Sequence, residues 1–100
     1  MPVKAGYDVL AERFRQIQEY GVGFERHDSG HSQGGLVDLA IYFAGDESVR
    51  AALETAGIRP KAAYGEPFDP RERRTNLVRA AAFLIAEIER IDRAADRGLD

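Results

Sequence analysis

Apolar residues recur along this chain with helical spacing, and they predict four helices. The clearest pattern begins where Asp69 is a good N-cap, Pro70 suits the first helical position and Glu72 sits at the carboxylate position of a capping box. From there apolar residues recur at alternating intervals of four and three, which predicts one buried stripe on a helix over residues 70–95. The members of this stripe are Leu77, Ala81, Leu84, Ile88, Ile91 and Ala95.

The first helix is predicted over residues 4–20. Gly21 is placed where a C′ glycine ends a helix, so we expect a loop over residues 21–33. The apolar face of this helix consists of Tyr7, Leu10, Phe14 and Ile17, with Tyr20 at its end.

Two shorter helices are predicted between these long ones. One covers residues 34–44, and its buried face consists of Leu36, Leu39, Ala40 and Phe43. The next begins at a cap, Asp46 or Ser48, and ends near Ala56, with Gly57 and Ile58 placed for a Schellman motif. Its inner face is predicted to consist of Val49, Ala52, Leu53 and Ala56. Tyr64 and Phe68 are expected to pin the following connection to the core.

The predicted fold is therefore all-α, a single small domain of about four helices over residues 1–100 with a long C-terminal helix. One hundred residues suffice for one modest core. The stripes of the first and last helices suit antiparallel packing at about 20°.

Composition narrows the classes of function. A hydrophobic fraction of 44% and a charged fraction of 31% are typical of a soluble globular protein. The net charge of −3 gives no overall attraction to nucleic acid or acidic membranes, so neither is an expected partner. There is no cysteine, which removes disulfides and thiolate sites and fits a reducing cytoplasm. The first residues have no apolar signal region, so we expect a cytoplasmic protein.

A loop with both histidines is the first candidate site. His27, Asp28 and His31 carry side chains that bind metals or partners, and Glu25 and Asp38 are near enough in sequence to complete a metal site. The alternative is that the histidines bond backbone groups and shape the loop.

An arginine cluster is the second candidate site, formed by Arg71, Arg73, Arg74 and Arg79. Cations in the first turn oppose the helix dipole, which invites a functional explanation such as contact with phosphate or an acidic protein surface. The alternative is a solvated face whose charge is offset by Asp69 and Glu72.

Carboxylates on the last helix are the third candidate site. Glu89 and Asp92 lie three residues apart, so they share a face and could hold magnesium for phosphoryl chemistry, together with Glu87 and Asp38. Surface ion pairs of the acids with Arg90 and Arg93 are the alternative.

Three segments of the chain, taken in order, resemble a family of small proteins carried by phages and prophages of proteobacteria. The segments are Leu10 to Ile17, Glu25 to His31 with Gly34 to Leu36, and Arg73 to Ala80 with Ala86 to Arg93. Members of that family usually have Glu at the position of Gly35 and Asp at the position of Asn76, and both carboxylates are missing here.

The resemblance implies an accessory or anti-defence role, of which anti-CRISPR proteins are typical. We therefore expect a non-enzymatic phage protein without a cofactor that binds and inhibits a bacterial protein complex, such as a CRISPR surveillance complex. The expected contact residues are His27, Asp28, His31, Arg71, Arg73, Arg74 and Arg79.

The same family also resembles the all-α nucleotide pyrophosphohydrolases, which hold magnesium with a Glu-x-x-Glu pair and a Glu-x-x-Asp pair. Glu89 and Asp92 match the second pair, but no two glutamates here lie three apart to form the first. A divergent magnesium-dependent pyrophosphohydrolase using Asp38, Glu87, Glu89 and Asp92 is thus the alternative. A homodimer formed through an overhanging end of the last helix is also left open.

Overall fold

The computed structural model describes residues 3–31, 35–58, 68–96 and 98, and for residues 20–31 it describes the backbone alone. Over these residues the chain forms four helices and no strand. The helices are α1 (Val3–His31), α2 (Gly35–Ala44), α3 (Glu47–Thr55) and α4 (Arg73–Asp96). The predicted small all-α fold with a long C-terminal helix is confirmed.

Helix α1 is longer than predicted, because it continues through Gly21 and Gly23 to His31. The loop expected over residues 21–33 is therefore wrong as far as His31, and residues 32–34 lie outside the described residues. A glycine inside a helix costs about 1 kcal/mol relative to alanine, which weakens a helix without ending it. A C′ glycine ends a helix only where the chain turns away, and here the backbone continues in helical form.

The apolar core lies between α2 and α4. Leu36 and Phe43 of α2 are fully buried, and the ring of Phe43 lies 5.6 Å from that of Phe83. Ala80 and Ala86 flank Phe83 on α4, and their small side chains let α2 approach closely. The inner face predicted for α2 is confirmed, since it consists of the buried residues Leu36, Leu39, Ala40 and Phe43.

Phe68 closes one end of this core. Its ring centroid lies 5.2 Å from that of Tyr42 and 5.4 Å from that of Phe43, both in edge-to-face geometry. The guanidinium of Arg50 sits 4.7 Å from the centroid of the same ring. Phe68 is thus pinned to the core as predicted, whereas Tyr64 lies outside the described residues.

Helix α3 has both predicted ends. The Asp46 side chain accepts from the backbone N–H of Val49 at 3.0 Å, as an N-cap does. At the other end Gly57 has a φ of 90°, and the N–H of Ile58 donates to the carbonyl of Leu53 at 2.9 Å, which is the long bond of a Schellman motif. The predicted inner face is wrong in part, because Ala52 and Ala56 are exposed while Val49 and Leu53 are half-buried.

Helix α4 begins at Arg73, three residues later than predicted. Asp69 caps a turn ahead of the helix, since its carboxylate accepts from the N–H of Arg71 at 2.9 Å and its carbonyl from that of Glu72 at 3.0 Å. Glu72, expected inside the first turn, is the residue that precedes the helix. Asn76 joins the turn to the helix, because its Nδ2 donates to the Asp69 carbonyl at 2.8 Å.

The predicted apolar stripe of α4 faces away from the core, so its assignment as a buried stripe is wrong. Its large residues are between 41% and 57% exposed, and we call them the α4 row: Leu77, Leu84, Ile88 and Ile91. The face of α4 that packs inward consists of Asn76, Ala80, Ala82, Phe83, Ala86 and Glu87. Spacing identifies an apolar face of a helix, but it does not say what covers that face.

The predicted apolar face of α1 is exposed as well. Tyr7 is 71% and Phe14 65% exposed, whereas the buried residues among the described side chains of α1 are Arg13 and Gln16. We call the exposed residues the α1 row: Val3, Tyr7, Leu10, Phe14 and Ile17.

Charged contacts join α1 to α4. In order along the chain these are Asp8 with Arg74, Glu12 with Arg79, and Arg13 with Glu89. Glu12 and Arg13 are neighbours on α1, whereas their partners Arg79 and Glu89 lie more than two turns apart on α4, so a short part of α1 contacts a long part of α4. The expectation that the two apolar stripes pack against each other is wrong, because polar side chains join the helices and the stripes are exposed.

Candidate interaction surfaces

Three arginines form an exposed edge at the start of α4, and we call Arg71, Arg73 and Arg74 the arginine edge. The side chains of Arg71 and Arg74 are 89% and 61% exposed. Arg73 Nη1 donates to the carbonyl of Ala44 at 2.8 Å, which ties this edge to the end of α2. Three of the four arginines predicted as contact residues are thus exposed near the start of the helix, and their role in binding a partner stays a prediction.

Carboxylates accompany the arginine edge. Arg71 donates to both carboxylate oxygens of Asp69, at 3.0 Å and 2.9 Å, which holds the pKa of Asp69 below its usual range and raises the pKa of Arg71. Asp8 accepts from Lys4 at 2.9 Å and from Arg74 at 2.8 Å, and these two bonds lower the pKa of Asp8. The acids offset the unfavourable placement of cations at a helix N-terminus.

Arg79 lies apart from the arginine edge. Its side chain is 23% exposed, and its Nε lies 3.9 Å from the carboxylate of Glu12, whose side chain is 12% exposed. The guanidinium of Arg79 thus belongs to the contact between α1 and α4. Arg79 was grouped with the arginine edge because it is close in sequence. In the structure it lies further along α4, where its side chain faces Glu12 of α1.

The histidine positions lie on the last turns of α1. Because the backbone is helical through His31, positions 27 and 31 are one turn apart and not in a loop. The side chains of His27, Asp28 and His31 are among those left undescribed, so their role in binding a partner stays a prediction.

Two carboxylates of the alternative magnesium site, those of Glu87 and Glu89, are held in ion pairs. Glu87 is 9% exposed and accepts two hydrogen bonds of 2.8 Å from Arg90, as the spacing predicted. Glu89 accepts from Arg13 Nε at 2.7 Å. Among the described residues, which include Asp38, Glu87, Glu89 and Asp92, no three histidines or acids lie close enough together to hold a metal ion.

The two apolar rows were predicted from the sequence as apolar helix faces, but the expectation that they are buried within the chain is wrong. Their alternating intervals of three and four are those of a coiled-coil seam, which is narrower than the apolar face of an ordinary globular helix. The polar residues that replace them at the contact, Arg13 and Gln16, carry no sequence signal of burial, because arginine and glutamine are mostly exposed in proteins.

Comparisons with protein-family models, with curated proteins and with solved structures found no match to this chain. Within the described ranges, no helix combines the length and apolar character needed to cross a membrane.

Proposed function

We propose that this protein acts by binding other proteins and not by catalysis. In its finer form the proposal is that it attaches to a bacterial host complex, such as a CRISPR surveillance complex, and inhibits it. The resemblance to phage-borne proteins suggests this partner. The proposed contact residues are those of the arginine edge and those at the end of α1.

The exposure of the two apolar rows carries the proposal. Large apolar residues occupy successive turns of the two longest helices, and nearly all of them are more than 40% exposed. Single exposed apolar residues are common on soluble proteins, but rows of them mark surfaces that contact a partner.

The state of the acidic residues also supports binding over catalysis. A magnesium-dependent hydrolase needs several carboxylates that converge with free oxygens. Here Arg90 engages both oxygens of Glu87, and Arg13 engages Glu89 from another helix. These acids stabilise the fold through ion pairs, which leaves no described cluster for such chemistry.

The arginine edge is suited to an acidic partner surface. The ion pair of Arg71 with Asp69 lies on the surface, where solvent and salt weaken such pairs, so a partner can replace one of its members.

Affinity capture with matched variants tests this proposal. The full chain, Arg71→Glu and Arg71→Lys are each immobilised and exposed to a bacterial host lysate, and the bound proteins are identified by mass spectrometry. We expect the wild type and Arg71→Lys to recover one multi-subunit complex that Arg71→Glu recovers at least about tenfold less, a difference of about 1.4 kcal/mol.

Two outcomes contradict the proposal in different ways. Equal recovery by Arg71→Glu removes the arginine edge from the contact. Magnesium-dependent nucleotide hydrolysis by the wild type that Asp92→Ala abolishes, with no complex recovered, overturns binding as the function.

A further inference from the structure

We propose that the α1 row and the α4 row are covered by a second copy of this chain, in a symmetric dimer built as a helical bundle. The inference rests on the proposed function, in which these rows are binding surfaces, and it names the partner that they bind. The arginine edge lies outside both rows and stays available for another protein.

The spacing of the rows fits packing of helix against helix. In the α1 row the intervals are four, three, four and three, and in the α4 row Ala81 and Ala95 complete the same alternation. An apolar residue every 3.5 positions keeps one narrow seam facing a partner helix, with each side chain inserted between four of the partner.

The area of the rows is what a stable dimer needs. The nine side chains of the two rows are on average about half exposed. At about 150–200 Å² for each fully exposed large side chain, they present on the order of 800 Å², which equals the share of one partner in an interface of standard size.

Helix α1 packs on its own chain through polar side chains, which leaves its apolar row exposed to solvent. Among its described side chains, the two that are buried are Arg13 and Gln16, and both are polar. All the large apolar side chains of the α1 row remain outside the chain's own core. Since most helices in proteins are stabilised by packing of their apolar face, the α1 row makes this contribution only when a partner covers it.

The two rows differ in the size of their side chains. Tyr7 and Phe14 are wide side chains on α1, and Ala81 and Ala95 are small ones within the line of the α4 row. Large residues that meet small ones across a contact allow two surfaces to interdigitate.

A second copy matches these surfaces without further assumptions. Each copy carries one row of each kind, so a two-fold axis lets every α1 row meet an α4 row of the other copy. A net charge of only −3 for each copy adds little repulsion.

The test is the mass of the full chain in solution, measured by sedimentation equilibrium for the wild type and three variants. Phe14→Gln and Ile88→Gln place a polar side chain in each row at positions that are 65% and 57% exposed, so the fold of one copy is preserved. Ile41→Gln is the matched control, because Ile41 is 42% exposed on α2 and belongs to neither row.

We expect the wild type and Ile41→Gln to show twice the chain mass of 11.1 kDa, and we expect each row variant to dissociate at concentrations at least about tenfold higher. A wild type that stays at 11.1 kDa up to about 1 mM overturns the inference, since even an association with a Kd of about 1 mM is populated there. So does a dimer that Ile41→Gln weakens as much as the row variants do.

The inference and the proposed function fail separately. A monomer that still captures a host complex contradicts the dimer and supports the binding function. A dimer that captures nothing and hydrolyses nucleotides supports the inference and contradicts the binding function.

Discussion

Arg13 of α1 donates from Nε to Glu89 Oε1 of α4 at 2.7 Å, and this pair joins the two longest helices of the chain. The Arg13 side chain is only 4% exposed, whereas that of Glu89 is 41% exposed. A buried guanidinium depends on its acceptors, because an unmatched buried charge is costly. The pair therefore explains why α1 can present a polar face to α4 and leave its apolar row outside.

Removing the acceptor of this pair should destabilise the protein. For Glu89→Ala we expect the free energy of unfolding to fall by about 1–3 kcal/mol, because Arg13 stays buried with one acceptor fewer. The control is Asp92→Ala on an exposed part of the same helix, which should change it by less than about 0.5 kcal/mol. Urea unfolding at a fixed chain concentration measures both, and equal stability of the two variants would show that the pair is not structural.

The position of Asn76 should not tolerate an aspartate. Asn76 is 2% exposed, and its Nδ2 donates to the Asp69 carbonyl at 2.8 Å, which an ionised carboxylate cannot do. We expect Asn76→Asp to cost about 2–3 kcal/mol at neutral pH, and Asn76→Ala to cost less, because it removes the donor without burying a charge. Thermal unfolding of both variants checks the order, and the prediction fails if Asn76→Asp is the more stable of the two.

The N-cap of α3 should contribute to stability in a pH-dependent way. The backbone N–H of Val49 and the hydroxyl of Ser48 hold the pKa of Asp46 below its usual range. A lowered pKa in the folded state means that the contribution is complete above the unfolded pKa of about 3.9 and is lost as the pH falls through the folded value.

We therefore expect Asp46→Ala to melt at a lower temperature than the wild type at neutral pH, with a difference that closes below about pH 4. Asp46→Asn should keep much of the cap without this acid dependence, because an amide oxygen also accepts from the helix N–H groups. Melting curves across the acid range test both statements. A difference between wild type and Asp46→Ala that persists unchanged in strong acid would contradict the assignment.

Two glycines should respond to alanine in opposite directions. A Cβ on Gly6 would meet nothing within 4 Å, so Gly6→Ala should stabilise α1 by about 0.5–1 kcal/mol. A Cβ on Gly45 would lie 2.8 Å from the carbonyl oxygen of Ile41 and 2.7 Å from Cγ1 of Val49, so Gly45→Ala should cost about 1–3 kcal/mol. Urea unfolding measures the change in the free energy of unfolding for each variant. A change of the same sign in both variants would contradict the close packing around Gly45.

The fold was predictable where local chemistry decides it. The cap at Asp46, the glycine stop at Gly57 and the inner face of α2 around Phe43 were all predicted from sequence and are confirmed. Gly21 was misread because a glycine stop needs a turn of the chain as well as a glycine. The start of α4 was placed three residues early because Asp69 caps a turn just as well as it caps a helix.

The exposed surfaces were harder to predict, because residue spacing identifies an apolar helix face but not the element that packs against it. The rows containing Phe14 and Ile88 were recognised as apolar faces, yet nothing local says whether the same chain or another covers them. Burial of Gln16 and Asn76 could not be predicted either, since it depends on contacts across the fold. The ion pair of Arg13 with Glu89 joins residues 76 positions apart, so sequence patterns within one helix could not predict it.

The central claim is that the apolar rows of α1 and α4 are covered by another copy of the chain in solution. The most direct measurement is the melting temperature as a function of chain concentration, followed by circular dichroism over about a hundredfold range. Because association stabilises the folded state by mass action, we predict that the melting temperature rises steadily with concentration. A melting temperature that is the same at every concentration would contradict the claim.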